Sequence, residues 1–95
     1  MLIQQGKDQK IIADYVENLS AKSKQELVAI YNKQEKLGIV GVRQQTLYLV
    51  ALGKVFKQVF GDSPVYFEDS IFLGMKGQII LVDETYIQLA EYPDN

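Results

Sequence analysis

Ninety-five residues with 47% apolar and 23% charged side chains describe one domain, 1–95, large enough to bury a single modest core without covalent staples. The chain has neither cysteine nor histidine, which excludes disulfides, thiolate metal sites, a cysteine nucleophile and the commonest general base and transition-metal ligand. Net charge is −2, but it is unevenly shared. Residues 1–57 hold nine of the ten basic and five of the twelve acidic residues, whereas residues 58–95 hold Lys76 against seven acids. Such a split can mark a partner surface, and it also follows from lysine-rich helices preceding aspartate-rich turns.

The first residues, Met1 to Asp8, carry no apolar stretch of signal-peptide type, and no apolar run reaches the ~18 residues that span a bilayer. The reading is a cytoplasmic protein with no membrane partner, its ends, 1–6 and 91–95, frayed.

Ile11, Ile12, Tyr15, Val16 and Leu19 form one apolar stripe and predict a first helix fading at Asn18–Ser20, with Asp8 as its N-cap. Ser23-Lys24-Gln25-Glu26 is a capping box that opens a second helix. Its stripe is Leu27, Val28, Ile30, Tyr31 and Leu37, and Gly38 is placed for a left-handed C-cap. A third helix runs from Val42 to Phe60, free of proline. Leu49, Leu52, Phe56 and Phe60 share one face, and the apolar arc nearly encircles its middle, as in a buried central helix. Gly53 inside it implies close packing of another segment. Gly61 and Asp62 end it.

Beyond Ser63-Pro64 the period changes. Val65-Tyr66-Phe67, Ile71-Phe72-Leu73, Ile79-Ile80-Leu81-Val82 and Tyr86-Ile87-Gln88-Leu89 read as strands, with turns at Glu68-Asp69-Ser70, Gly74–Gly77 and Asp83-Glu84. The fold class is therefore α+β: three helices followed by a small antiparallel β-meander of three or four strands.

Few motifs carry chemistry. Gly38-Ile39-Val40-Gly41, with Arg43 and Gln44 in the following helical turn, has the G-x-x-G spacing of anion-binding and RNA-binding loops. Its centre, Ile39-Val40, is apolar and expected to be buried, so a helix connection is the simpler reading. Three helices and a hairpin also suggest a winged helix, but the third helix offers only Arg43, Gln44, Gln45, Lys54, Lys57 and Gln58 against a wide apolar arc, in a chain of pI near 5. Glu68-Asp69 and Asp83-Glu84 are adjacent carboxylates, which point to opposite faces of a strand and fall in turns; neither forms a calcium-loop rhythm. Ser20 to Ser23 is capping chemistry, and no nucleophile motif occurs. No catalytic residue, metal site or cofactor is assigned.

The function read from these features is a protein-interaction or regulatory module that self-associates. In Ile79–Val82 four successive apolar residues leave two on each face, and Ile71–Leu73 repeats the feature, which implies a sheet buried on both sides. The interface residues would be Ile71, Leu73, Ile80, Val82, Tyr66 and Tyr86, most simply in a two-fold homodimer. Met1-Leu2-Ile3 folding over the outer face is the competing cover. The alternative function is a nucleic-acid-binding regulator using Gly38, Gly41, Arg43 and Gln44. A small metal-free enzyme comes third.

Overall fold

The computed structural model describes residues 6–68 and 72–90. Three helices, α1 (Lys7–Ser20), α2 (Lys24–Leu37) and α3 (Arg43–Phe60), precede four strands, β1 (Val65–Glu68), β2 (Phe72–Met75), β3 (Ile79–Val82) and β4 (Tyr86–Leu89). This is the expected α+β order. Consecutive strands pair antiparallel, β1 with β2 and β3 with β4, in two separate two-stranded sheets. The meander is thus divided into two hairpins.

The helices follow their apolar stripes. Ile12 and Leu19 of α1, and Leu27 and Tyr31 of α2, are buried. On α3, Leu47, Leu49, Val50, Ala51, Leu52, Val55 and Phe56 are buried, an arc wide enough that the helix meets α1, α2 and β1 on different sides. The Phe56 ring lies edge-on to Tyr31 at 5.9 Å and stacked on Phe60 at 5.2 Å, tying α2 to α3.

The helix ends obey local chemistry with two corrections. The capping box forms: Glu26 N–H donates to Ser23 Oγ (3.1 Å) and Ser23 N–H to Glu26 Oε1 (3.0 Å), and this pair holds the Glu26 carboxyl below its ordinary pKa. Asp8, however, is not the N-cap of α1. Gly6 holds that position, and Asp8 lies in the first turn, fully buried and ion-paired with Arg43 of α3. Gly38 has the positive φ expected of it (83°), but its ψ of 173° leads the chain outward instead of into a left-handed cap. Gly61, with φ 77° and ψ −1°, does adopt that cap at the end of α3.

The hairpins dock differently. The first hairpin packs on α3 beside Gly53, where a Cβ would stand 3.4 Å from Ser63 Oγ and Val65 Cβ, at contact distance. Val65 is buried, with Leu73 and Met75 packed against the core. The second hairpin rests on α2 through side-chain hydrogen bonds. Tyr31 Oη donates to the Gly77 carbonyl (2.8 Å) and accepts from its N–H (3.2 Å). Asn32 donates to the Ile79 carbonyl and accepts from the Ile79 N–H, both at 2.8 Å. Gln78 Nε2 donates to the Asn32 carbonyl and to Glu35.

These bonds explain why the expected turn at Gly74–Gly77 is displaced. Gly74 and Met75 continue β2, and the link to β3 is the segment fastened to Tyr31. Gly74 has no side chain because the Tyr66 ring crosses it; a Cβ would fall 2.4 Å from Tyr66 Cζ. At the other turn Asp83 and Glu84 both take positive φ (52° and 57°), closed by Thr85 N–H on the Val82 carbonyl (3.0 Å).

Candidate functional site

The α2–α3 connection holds the densest exposed apolar surface among the described residues. Leu37 is 63% exposed, Val40 56%, Val42 53% and Ile39 46%. This corrects the expectation that Ile39-Val40 is buried and that Leu37 closes the core stripe of α2. The cause is the backbone. Gly38 and Gly41 both have positive φ (83° and 80°), which β-branched neighbours could not adopt without strain, and the two bends turn the aliphatic residues between them to the surface.

The loop is pinned in this form. Gln45, one turn into α3, donates from Nε2 to the Gly38 carbonyl (2.8 Å) and to Gln34 Oε1 (3.3 Å), and accepts from the Val40 N–H at 2.9 Å. Gly38 N–H closes α2 on the Gln34 carbonyl (2.9 Å), and Thr46 N–H bonds the Val42 carbonyl (3.2 Å). One glutamine thus does for the loop what a strand partner does for a strand, satisfying both a donor and an acceptor.

Beside the loop runs a groove of about 400 Å³. Leu37, Val40 and Val42 line it together with Tyr15, Tyr48 and the side chains of Gln34, Gln44 and Gln45. The two rings meet edge-to-face at 5.1 Å, a favourable aromatic geometry. Burial raises the pKa of the Tyr48 phenol, and the neighbouring Tyr15 acts in the same sense, so the Tyr48 hydroxyl keeps its proton near neutral pH. The site offers apolar contact plus amide and phenol hydrogen bonds.

The residues singled out from sequence are only partly brought together. Gly38, Gly41 and Gln44 belong to this loop or groove. Arg43 turns to Asp8 across α1, at the edge of a neighbouring cavity of about 560 Å³ that also touches Gln44. A cation facing a fully buried carboxylate is structural, because removing it would leave that charge without its ion-pair partner in a desolvated place.

Of the interface set, Ile80, Val82 and Tyr86 share the outer face of the second hairpin, since Val82 opposes Tyr86 and Ile80 opposes Gln88. Ile80 and Tyr86 are 46% and 47% exposed. Tyr66 lies over Gly74 on the first hairpin, a separate sheet. Leu73 opposes Phe67 in register and packs toward the core with Met75, on the inner side that alternation along β2 gives it. Ile71 and the possible cover Met1-Leu2-Ile3 lie outside the described residues, as do residues 91–95 of the expected frayed end.

No group of three or more acidic side chains is placed to hold a metal ion among the described residues, and no described helix is long and apolar enough to cross a membrane. Comparison with protein families, with curated proteins and with solved structures found no match to this chain.

Proposed function

We propose that the protein is an interaction module that docks an apolar segment of a protein partner on the α2–α3 loop and its groove. One observation carries this reading: four large aliphatic residues stand about half or more exposed within six positions, on a loop whose shape Gln45 fixes beforehand. Exposed apolar residues scattered singly are ordinary, but a contiguous group on a rigid support marks a binding surface. Pre-ordering the loop lowers the entropy lost on association. The Gln44 amide and the tyrosine hydroxyls along the groove suit the polar backbone of a bound segment.

Support for a nucleic-acid role through the same loop is weaker. Arg43 is committed to Asp8 and Gln45 to the loop itself, which removes two of the polar groups that α3 would present to a groove or phosphate.

Self-association is a second reading, favoured by the outer face of the second hairpin, where Ile80 and Tyr86 are exposed beside Val82. The two readings separate cleanly. Val40→Asp and Ile80→Lys alter exposed positions. Partner capture from the native host that is lost with Val40→Asp and kept with Ile80→Lys supports the loop as the docking site; equal capture by both variants and the parent chain would overturn it. Light scattering at micromolar concentration tests the second reading, and a monomer mass indifferent to dilution and salt would defeat it. Salt-sensitive retention on DNA, unchanged in Val40→Asp, would return the nucleic-acid role to first place.

A further inference from the structure

Where the first hairpin meets α3, the fold collects three ammonium groups. Lys54 and Lys57 stand one turn apart on α3, Lys76 follows β2, and all three line one cleft of about 410 Å³. Lys76 is the only basic residue after position 57, in a stretch that carries seven acids. Its place is nevertheless beside the two helical lysines, and among the described residues none of the three makes an ion pair.

The cleft is built before any ligand arrives. Lys76 N–H bonds the Pro64 carbonyl (2.9 Å), which ties the end of β2 to the start of the hairpin. Ser63 Oγ donates to the Val65 carbonyl (2.9 Å) and accepts the Val65 N–H (3.1 Å), fixing the approach to β1. Asp62, the acidic residue among the cleft's lining groups, accepts the Ser63 N–H at 2.8 Å, so its carboxylate is engaged at the backbone. Three like charges gathered on a concave surface raise its positive potential.

We propose that this cleft binds a phosphorylated small molecule, with the phosphate held among Lys54, Lys57 and Lys76 and the organic part against the exposed Tyr66 side chain. The count of charges favours phosphate. A single carboxylate needs one cation, whereas a phosphate ester or diphosphate carries two or three negative charges and several acceptor oxygens. Tyr66, on the rim of the cleft, is 41% exposed, so its ring can pack on a planar group. The volume falls in the roughly 300–1,000 Å³ range of small-molecule sites. The cleft shares no lining residue with the α2–α3 groove, so it stands or falls separately from the docking role.

The test is titration of the full chain with inorganic phosphate, AMP and ADP at constant ionic strength, followed by calorimetry and by amide chemical shifts. ADP or AMP should bind saturably, with shifts centred on residues 53–57, 62–66 and 76. Lys57→Gln and Lys76→Gln should each weaken binding by roughly tenfold, and the triple Lys→Gln variant should abolish it while melting at the parent temperature. No saturable binding of any probe to folded protein would overturn the proposal, as would binding unchanged in the triple variant. Binding of heparin or a single-stranded polynucleotide at these lysines, with none of the small phosphates, would also overturn it in favour of a polyanion surface.

Discussion

The two hairpins have the same length and the same pairing, yet they are attached by different physics. The first is held by shape: Val65 packs against α3 beside Gly53, and Leu73 and Met75 extend the contact. The second buries Ile79 and part of Ile87 and is fastened in addition by directed bonds from Tyr31, Asn32 and Glu35, one face of α2, to Gly77, Gln78 and Ile79. Apolar attachment tolerates small shifts and is proportional to area. Hydrogen-bonded attachment fixes register, and it is lost abruptly when a single donor or acceptor is removed. The difference teaches that a chain of this size, with one helix carrying most of its core, can still position a second sheet element accurately by spending polar side chains on it.

The first attachment stands on α3 directly and the second through α2, whose Tyr31 packs on Phe56 of α3, so the first way to break the comparison is to remove this shared base. Phe56→Ala should cost about 3–5 kcal/mol, and Leu52→Ala about 2–5 kcal/mol, with both hairpins unfolding in one transition by denaturant titration monitored at separate probes. Survival of either hairpin would show that its attachment does not depend on the central helix.

Asn32→Ala sharpens the comparison next. It leaves the Ile79 N–H and carbonyl without their partner in a part-buried position, at a cost of about 2–3 kcal/mol. Hydrogen exchange should accelerate in β3 and β4 and stay unchanged in β1 and β2. The same latch should feel alkali. Burial of Tyr31 pushes its pKa up to about 12, against the lowering effect of its bonds to the Gly77 backbone, while an unfolded tyrosine ionises near pH 10. Between those values the folded state holds the proton and the unfolded state has released it, so stability falls as pH rises through that window. Tyr31→Phe should flatten the part of that fall due to this group, measured as denaturation midpoint against pH.

For the first hairpin the matching change is Val65→Ala, expected to cost about 1.5–2 kcal/mol from the two buried carbons removed, with exchange accelerating in β1 and β2 alone. The smallest expected effect has the opposite sign. Glu84 holds a positive φ of 57°, which glycine adopts freely, so Glu84→Gly should stabilise the second hairpin by about 0.5–1 kcal/mol. A loss of stability would show that the Glu84 side chain makes a compensating contact.

The same contrast separates what could be read along the chain from what could not. Stripes at helical spacing, the Ser23–Glu26 box and the wide apolar arc of α3 are local patterns, and their residues are buried or bonded as local physics requires. Asp8 reads as an N-cap because the cation that buries it, Arg43, lies 35 residues away. Gly74 reads as a turn because nothing near it in sequence reveals the Tyr66 ring that needs its missing side chain. The division of the meander depends on Tyr31 reaching Gly77 across 46 positions. The exposed α2–α3 loop was hidden for another reason. Ile39 and Val40 are apolar, apolar residues usually turn inward, and only the paired positive φ of Gly38 and Gly41 reverses that. Four aliphatics in six residues, flanking two glycines and matching neither period, is the signal by which such a loop can be found.

Asn32 also bears on how the protein behaves in a crowd. Because the Ala90 N–H bonds the Gln78 carbonyl and Ile79 is the next residue along, the Ile79 amide faces away from β4, toward the open side of its strand. An open strand side is a template on which another chain can add itself, the first step toward tangled or fibrous aggregates. The carboxamide of Asn32 occupies that template with the same donor and acceptor a strand would bring, but it ends after one residue and cannot be extended. One side chain therefore acts as a stopper at the start of β3, and its removal opens a route by which folded copies can be lost to aggregation.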